Sequence, residues 1–414
     1  MDKKEKHRDL KAILASLFCL SLVIRAVALW LFPVEHLSTN AEIAYLGGAR
    51  MILDGTGIMY TKYPIFTPPL YAILIALGTA TFGDELLPIK LLQIIADSGT
   101  TCVVFIIARE ILGQRIALLT GFFLAFYPFS IYAALYIGSE TLFTFFLSLF
   151  VLFLLRAVSF YSVHWYLLAG FSLGIATLIR GTTQFFLVVV PVALFLTCRT
   201  LNKRILLGYL LMCFAFVLCI APWAVRNYVV LKAVVPVATA SSVFLQGSNE
   251  KFLTIEGKIT WFPIYFAELE KRGIPMPAPG AGPVAFDKYM FKAGLENYLI
   301  RAESDPFSFI TFFAEKFARL WFSTESGRNH LIILVLNAPF YLFALIGLIF
   351  LWRKQSMHRS VWIVIVLVGY FILLHWISLP LFRYVLPVMP YIIAFASAGI
   401  LLSFERFINR PSRA

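Results

Sequence analysis

The chain has 414 residues, of which 60% are hydrophobic and only 14% charged, a balance that excludes a water-soluble globular domain and requires a polytopic membrane protein. Its formal charge is +13, but the basic residues stand as short clusters between apolar runs, which is the pattern of topology signals and argues against nucleic acid as a partner. Cys19, Cys102, Cys198, Cys213 and Cys219 lie in apolar runs without CxxC spacing and read as small core residues, neither disulfide partners nor metal ligands.

At the N-terminus, Asp2 to Lys11 is rich in Lys and Arg and precedes an apolar run of about 20 residues ending near Phe32. That run is too long for a signal peptide and reads as a retained first helix with its N-terminus in the cytoplasm. The clusters Arg109/Arg115, Arg156, Arg199/Lys203/Arg204, Arg353/Lys354/Arg359 and Arg406/Arg410/Arg413 are expected on that same side. Spans at roughly 11–32, 87–108, 116–137, 141–158, 164–180, 183–198, 205–222, 331–352, 361–379 and 387–404 satisfy the rule, giving about ten transmembrane helices. Residues 68–82 are short for a span, and a crossing there would put Arg109 outside. They are expected as a helix in or near the outer interface.

This arrangement gives three regions: 1–222, an N-terminal transmembrane module with a large first outer loop (33–86); 223–330, a second outer loop; and 331–414, the C-terminal transmembrane helices. The first loop is expected to hold an interfacial helix near 40–53. In the second, Pro275 to Pro283 is too rich in Pro and Gly for a regular element. Residues 306–322 resume helical spacing, with Phe309, Phe312, Phe313, Phe317 and Leu320 expected to lie on the membrane and Lys316 and Arg319 on the other side.

Chemistry at a membrane surface needs ionisable groups gathered on one side. Glu42 shares a helical face with Tyr45 and Ala49 in the first loop. Glu140, in Gly138-Ser139-Glu140-Thr141, sits at the outer mouth between two spans, where it either faces a cleft or caps the next helix. Lys62, Lys90, Arg180, Arg226 and Arg383 all fall at outer helix ends or in outer loops. Interfacial snorkelling accounts equally well for Lys90 and Arg180. Arg226 and Arg383 each stand beside an aromatic residue in a proline-flanked turn, Pro222-Trp223-Ala224-Val225-Arg226-Asn227-Tyr228 and Arg383-Tyr384-Val385-Leu386-Pro387. A lone guanidinium among apolar residues, as Arg383 is, reads as a partner for a lipid-borne phosphate.

These features occur in a definite order: the acidic first-loop helix, Pro68-Pro69-Leu70-Tyr71, Ser139-Glu140, Leu178-Ile179-Arg180, the Pro222 to Tyr228 segment with Gln246-Gly247-Ser248-Asn249 after it, and Arg383-Tyr384…Pro387…Pro390. From about residue 11 to 404 that order resembles the bacterial GT-C membrane glycosyltransferases, in particular the group of protein O-mannosyltransferases and the aminoarabinose transferase that modifies lipid A. The resemblance implies an all-α GT-C-type fold in the cytoplasmic membrane with its active site facing the periplasm or exterior. It implies a polyprenyl-phosphate-linked sugar donor entering from the membrane lipids, an acceptor lipid, glycan or protein, and inversion at the anomeric carbon. Glu42 and Glu140 would face the reaction centre, one as general base. Arg383, then Arg226, Lys62 and Lys90, with Arg180, would hold the donor phosphate, and Tyr45, Tyr71 and Tyr384 would line the substrate pocket.

One departure stands out, because the first-loop acid, often Asp with an acidic neighbour in the family, is Glu42 in Thr39-Asn40-Ala41-Glu42, leaving Glu35 and Asp54 as alternatives. No metal ligands are assigned and no cofactor is required; a divalent ion is an open alternative if the fold gathers imidazoles from His36, His330 and His375. Other classes stay open as well: a lipid-linked sugar transporter or flippase, which the lack of an internal repeat speaks against, a non-catalytic envelope scaffold, and a polymerase or ligase using a lipid pyrophosphate donor.

Overall fold

The computed structural model describes residues 3–33, 40–57, 67–84, 86–249, 270–278, 281–324, 327–353 and 358–408, and among them every regular element is helical. The first half runs α1 (Lys3–Leu31), α2 (Asn40–Leu53), α3 (Pro69–Phe82), α4 (Leu87–Leu112), α5 (Gln114–Ala125), α6 (Pro128–Leu135), α7 (Glu140–Phe160) and α8 (Val163–Ile179). Then come α9 (Phe186–Cys198), α10 (Lys203–Leu231), α11 (Ser241–Gly247), α12 (Gly282–Ser304), α13 (Pro306–Arg319), α14 (His330–Arg353), α15 (Val361–Ile377), α16 (Phe382–Val385) and α17 (Met389–Ile408).

Nine of the ten segments expected to span each coincide with one of these helices, and the tenth, 116–137, is divided between α5 and α6. Six are long and apolar enough to cross a bilayer, or seven if α5 and α6, bent by 47°, count as one; α3, α8, α9 and α15 are shorter. The protein is therefore a multi-pass membrane protein. The bend has a local cause: Pro128 opens α6 and supplies no amide to continue the ladder of α5. At the break, the carbonyls of Leu124 and Ala125 accept from the buried Arg25 of α1 at 3.2 and 3.0 Å.

Charged side chains mark the two ends of the bundle. Arg156 lies 3.5 Å from Glu110, and Arg115 lies 3.7 Å from Glu405, so these basic clusters share one end, as the charge rule requires. Glu140 opens the same helix that carries Arg156, sixteen residues away, or about 24 Å at the helical rise of 1.5 Å per residue. It sits at the opposite end.

Helix α14 packs on α17 through Gly347 and Gly399. A Cβ on Gly399 would collide with the Phe343 carbonyl, and one on Gly347 with the Phe395 carbonyl, so the two backbones touch.

Two expectations are corrected. Pro222 does not end a span: α10 runs through it to Leu231, so Trp223, Arg226 and Asn227 are helical, and the chain turns only after Lys232. What holds the turn is Asn227, fully buried, whose amide donates to the Val235 carbonyl at 2.9 Å, and Trp223, whose indole donates to the Val237 carbonyl at 2.8 Å. The second concerns α13. Its Phe312, Lys316 and Leu320, spaced i, i+4, i+8, are buried against the protein, while Phe307 and Ile310 are exposed. The helix turns inward the face expected on the lipid, because rings from α12 and α15 cover it.

Candidate active site

The loop between α6 and α7 is fixed from below by two buried side chains. Gln93 on α4 donates its amide to the carbonyls of Ala134 and Tyr136, at 3.1 and 2.9 Å, at the end of α6. Its carbonyl oxygen accepts from the Tyr71 hydroxyl, which in turn receives the Gly138 N–H at 3.0 Å. Gly138 has no alternative, since a Cβ there would strike the Tyr136 ring. Tyr45 of α2 meets Tyr71 edge-on, with centroids 4.7 Å apart, and donates to the Ser139 hydroxyl at 2.9 Å. Four elements thus position one residue, Glu140.

Glu140 is only 3% exposed. One carboxylate oxygen lies 2.7 Å from a guanidinium nitrogen of Arg180, just past the end of α8, and 3.8 Å from Nε of Arg383 on α16. The other accepts from the Tyr136 hydroxyl at 2.7 Å. Arg180 also donates to Ser139 at 3.3 Å. Both guanidiniums stand over the Tyr384 ring, 5.0 and 5.1 Å from its centroid. Against that ring His375 of α15 stacks almost parallel, at 4.5 Å and 7°. His375 is 5% exposed, and neither ring nitrogen has a hydrogen-bond partner among the described residues.

The electrostatics follow from burial and from this pairing. Burial first, and then the charge of Glu140, keep the Tyr136 phenol protonated well above its ordinary range. Tyr45 is raised chiefly by burial, with Arg180 working the other way. Burial opposes the charge on Arg180, but Glu140 more than offsets it and holds the guanidinium protonated.

Among the residues proposed from sequence, Glu140, Arg180, Arg383, Tyr45, Tyr71 and Tyr384 come together here. Lys90 is buried one turn before Gln93 on α4. Arg226 engages its own helix, standing 4.7 Å over the Trp223 ring and donating to Asn227 at 3.1 Å. Glu42 lies one turn before Tyr45 on α2, but its side chain lies outside the described residues, as do Lys62, Glu35 and His36. Asp54 is exposed just beyond α2. His330 accepts the Thr324 N–H at 3.2 Å. Among the described residues no group of three or more His, Cys, Asp or Glu is placed to hold a metal ion.

Two buried charges escaped the sequence reading. Arg25 pairs with Asp97 of α4 in the middle of the bundle, and Asp97, Thr101, Ser130, Glu140, Thr141 and Thr144 help line a small cavity between this pair and the Glu140 cluster. The enclosed part offers about 20 Å³ for water centres, room for one or two molecules. The signal was available, because Arg25 is a lone charge in an apolar run, as Asp97 is in its helix.

Residues 67–225 match the family of dolichyl-phosphate-mannose-protein mannosyltransferases, a segment that contains Tyr71, Tyr136, Glu140 and Arg180 and ends before Arg383. Among solved structures, the archaeal oligosaccharyltransferase AglB from Archaeoglobus fulgidus, in complex with an inhibitory peptide and a dolichol-phosphate, superposes over 97% of this chain and 51% of its own, with a TM-score of 0.57 at 13% identity. The apo form of that oligosaccharyltransferase superposes over 96% and 51%, with a TM-score of 0.58 at 14% identity. This is the GT-C fold. The chain spans about half the length of those oligosaccharyltransferases. ArnT from Cupriavidus metallidurans covers 93% of this chain and 77% of its own at 17% identity, but its TM-score of 0.41 is too low to argue from. No curated protein matches the sequence. Within the GT-C fold, the Glu140 cluster draws its parts from α2, α3, α4, α7, the end of α8 and α16, elements spread along the chain from Tyr45 to Tyr384.

Proposed function

We propose that the chain is an inverting glycosyltransferase that moves a sugar from a polyprenyl-phosphate-linked donor to an acceptor lipid, glycan or protein on the outer face of the cytoplasmic membrane. The observation that carries this reading is the convergence of Arg180 and Arg383 on one buried carboxylate, above the Tyr384 ring, at the bundle end opposite the basic clusters. A phosphodiester brought there meets two guanidiniums whose planes are already set by Glu140 and Tyr384, and neither has to reorganise as charge grows on the phosphate.

In the proposed reaction a carboxylate takes the proton from the acceptor O–H or N–H, and the freed lone pair attacks the anomeric carbon from the face opposite the phosphate. The anomeric C–O bond breaks, its electron pair leaves on the phosphate oxygen, and Arg180 and Arg383 neutralise it. The two carboxylates differ in what they have left to offer. Both oxygens of Glu140 are engaged, one by Arg180 and one by Tyr136, so its role is to orient the phosphate-binding arginines. The base is then Glu42, one helical turn before Tyr45, which touches Ser139. The mannosyltransferase match over 67–225 supports sugar transfer, and the likeness to the oligosaccharyltransferases supports the same membrane architecture for it.

The test is donor-dependent release of polyprenyl phosphate. Purified protein in nanodiscs is incubated with a panel of polyprenyl-phosphate sugars and crude envelope as acceptor source, for the wild type and for Glu42→Gln and Arg383→Ala. Release from one donor, lost in both variants, is expected. No release from any donor would sink the proposal, and full activity in Glu42→Gln would move the base elsewhere.

A further inference from the structure

Lys316 is the least expected charged residue in the molecule. It is fully buried in α13, outside the spans, and no carboxylate among the described residues accompanies it. Its Nζ instead donates to the carbonyls of Gly247 and Ile377, at 2.7 and 2.8 Å, and to the Tyr298 hydroxyl. Those carbonyls are the last of α11 and of α15, so two helix C-termini point their partial negative charge at one amine. The Tyr298 hydroxyl lies between the same two carbonyls, at 3.0 and 2.6 Å, and the rings of Tyr298, Phe312 and Phe313 wall off the site within 5.6 Å.

The junction matters because of the stretch just after Ile377. Residues 378–384 lead from α15 into α16 and carry Arg383 and Tyr384. Helix α11 lies directly against them: a Cβ on Gly247 would collide with the Ser378 carbonyl, and Val243 packs with Leu379, Leu381 and Tyr384. On the far side, the Ser323 carbonyl, just after α13, takes the Phe382 N–H at 2.8 Å. The segment that presents Arg383 is thus held by α11 and by Ser323 after α13, and Lys316 bonds to both sides of the joint.

We infer that Lys316 is a positioning residue for the Arg383–Tyr384 segment, locking α11 and α13 to the end of α15 so that Arg383 faces Glu140. The inference deepens the proposed function and rests on it, since it assigns a support to the donor-phosphate site. Within the Gln246-Gly247-Ser248-Asn249 run of the sequence it also gives Gly247 a reason: only glycine lets the α11 terminus approach Ser378 and present its carbonyl to the lysine.

The experiment uses the full chain in nanodiscs, with Lys316→Met and Gly247→Ala, and with Tyr298→Phe as a milder variant in case the first two fold poorly. Two readouts are taken: hydrogen exchange of the peptide spanning 378–385, and binding of polyprenyl phosphate. Exchange in that peptide should rise about tenfold in the first two variants and about threefold in Tyr298→Phe, with the α7 peptides unchanged. Polyprenyl phosphate should bind about tenfold more weakly, and with an active donor kcat should fall along with kcat/KM, as when a transition-state contact of Arg383 is loosened. A uniform rise in exchange across the molecule, or unchanged exchange at 378–385, would overturn the inference. If the wild type binds no polyprenyl phosphate while exchange at 378–385 still rises selectively, the positioning role stands and the transferase reading falls.

Discussion

Arg25, fully buried, and Arg180, largely buried, each stand beside a carboxylate, yet their surroundings are built on opposite plans. Arg25 donates to Asp97, to the Ser21, Leu124 and Ala125 carbonyls and to the Ser130 hydroxyl, so its five N–H groups all end on the chain itself. Arg180 shares its carboxylate with a second guanidinium, and both cations lie over one aromatic face. The first arrangement closes a defect, the bend between α5 and α6. The second assembles like charges, which a bundle tolerates only where an anion offsets them. In a membrane protein, then, a buried charge says little about function until its partners are counted.

The two arginines should fail differently. Asp97→Ala strands Arg25 in the bundle interior and should cost about 3–5 kcal/mol, read as lost monodisperse protein in size-exclusion chromatography; Arg25→Met/Asp97→Leu together should restore folding and activity. If the double variant folds but is inactive, the pair belongs with the site and the contrast fails. Arg383→Ala should leave the fold intact and lower turnover by about 10²- to 10³-fold, the loss typical of one electrostatic donor. An equal loss of thermal stability would make Arg383 structural like Arg25.

Lys316 offers a third cut, through pH. Burial pulls it from its ordinary 10.5 down to about 7. The unfolded chain therefore holds more protons than the folded one between those values, so stability rises as pH increases through that window and is least below about pH 7. Thermal melts of the wild type should move upward between pH 7 and 10, and Lys316→Met should lack that slope. The junction survives this titration, because the neutral amine still donates to both carbonyls and accepts from Tyr298. The smallest effect is expected from Tyr136→Phe, which removes one hydrogen bond from the buried Glu140 carboxylate and should cost about 2 kcal/mol, visible as a melt several degrees lower.

How much of this could be read from the residues alone depends on what each pattern encodes. The apolar segments coincide with helices because a bilayer demands that every backbone group be satisfied within the segment. Arg383 was legible as a lone charge among apolar residues, and Glu140 and Arg180 as charges at outer helix ends, where capping and snorkelling explain them equally well. Their meeting was not, since side chains 203 positions apart carry no mark of contact. Helix α13 shows the deeper difficulty. Lipid and protein interior are equally apolar, so a stripe of Phe does not say which of the two it faces, and the inward turn of Phe312 and Leu320 had no sequence signal. Lys316 was placed with Arg319 on the side away from the apolar face, yet it is buried. Pro222 was read as a stop, yet α10 tolerates it and continues two more turns.

The spread of the Glu140 cluster along the chain also sets a schedule for its birth. Glu140 and Arg180 leave the ribosome within 40 residues of each other. Arg383 follows after another 203, which at about 5–20 residues per second is roughly 10–40 s later. During that interval Glu140 and Arg180 balance one another's charge. Under the proposed function, the second phosphate-binding guanidinium arrives only with the last helices, so a chain whose synthesis stops before Arg383 lacks half of the donor-phosphate site.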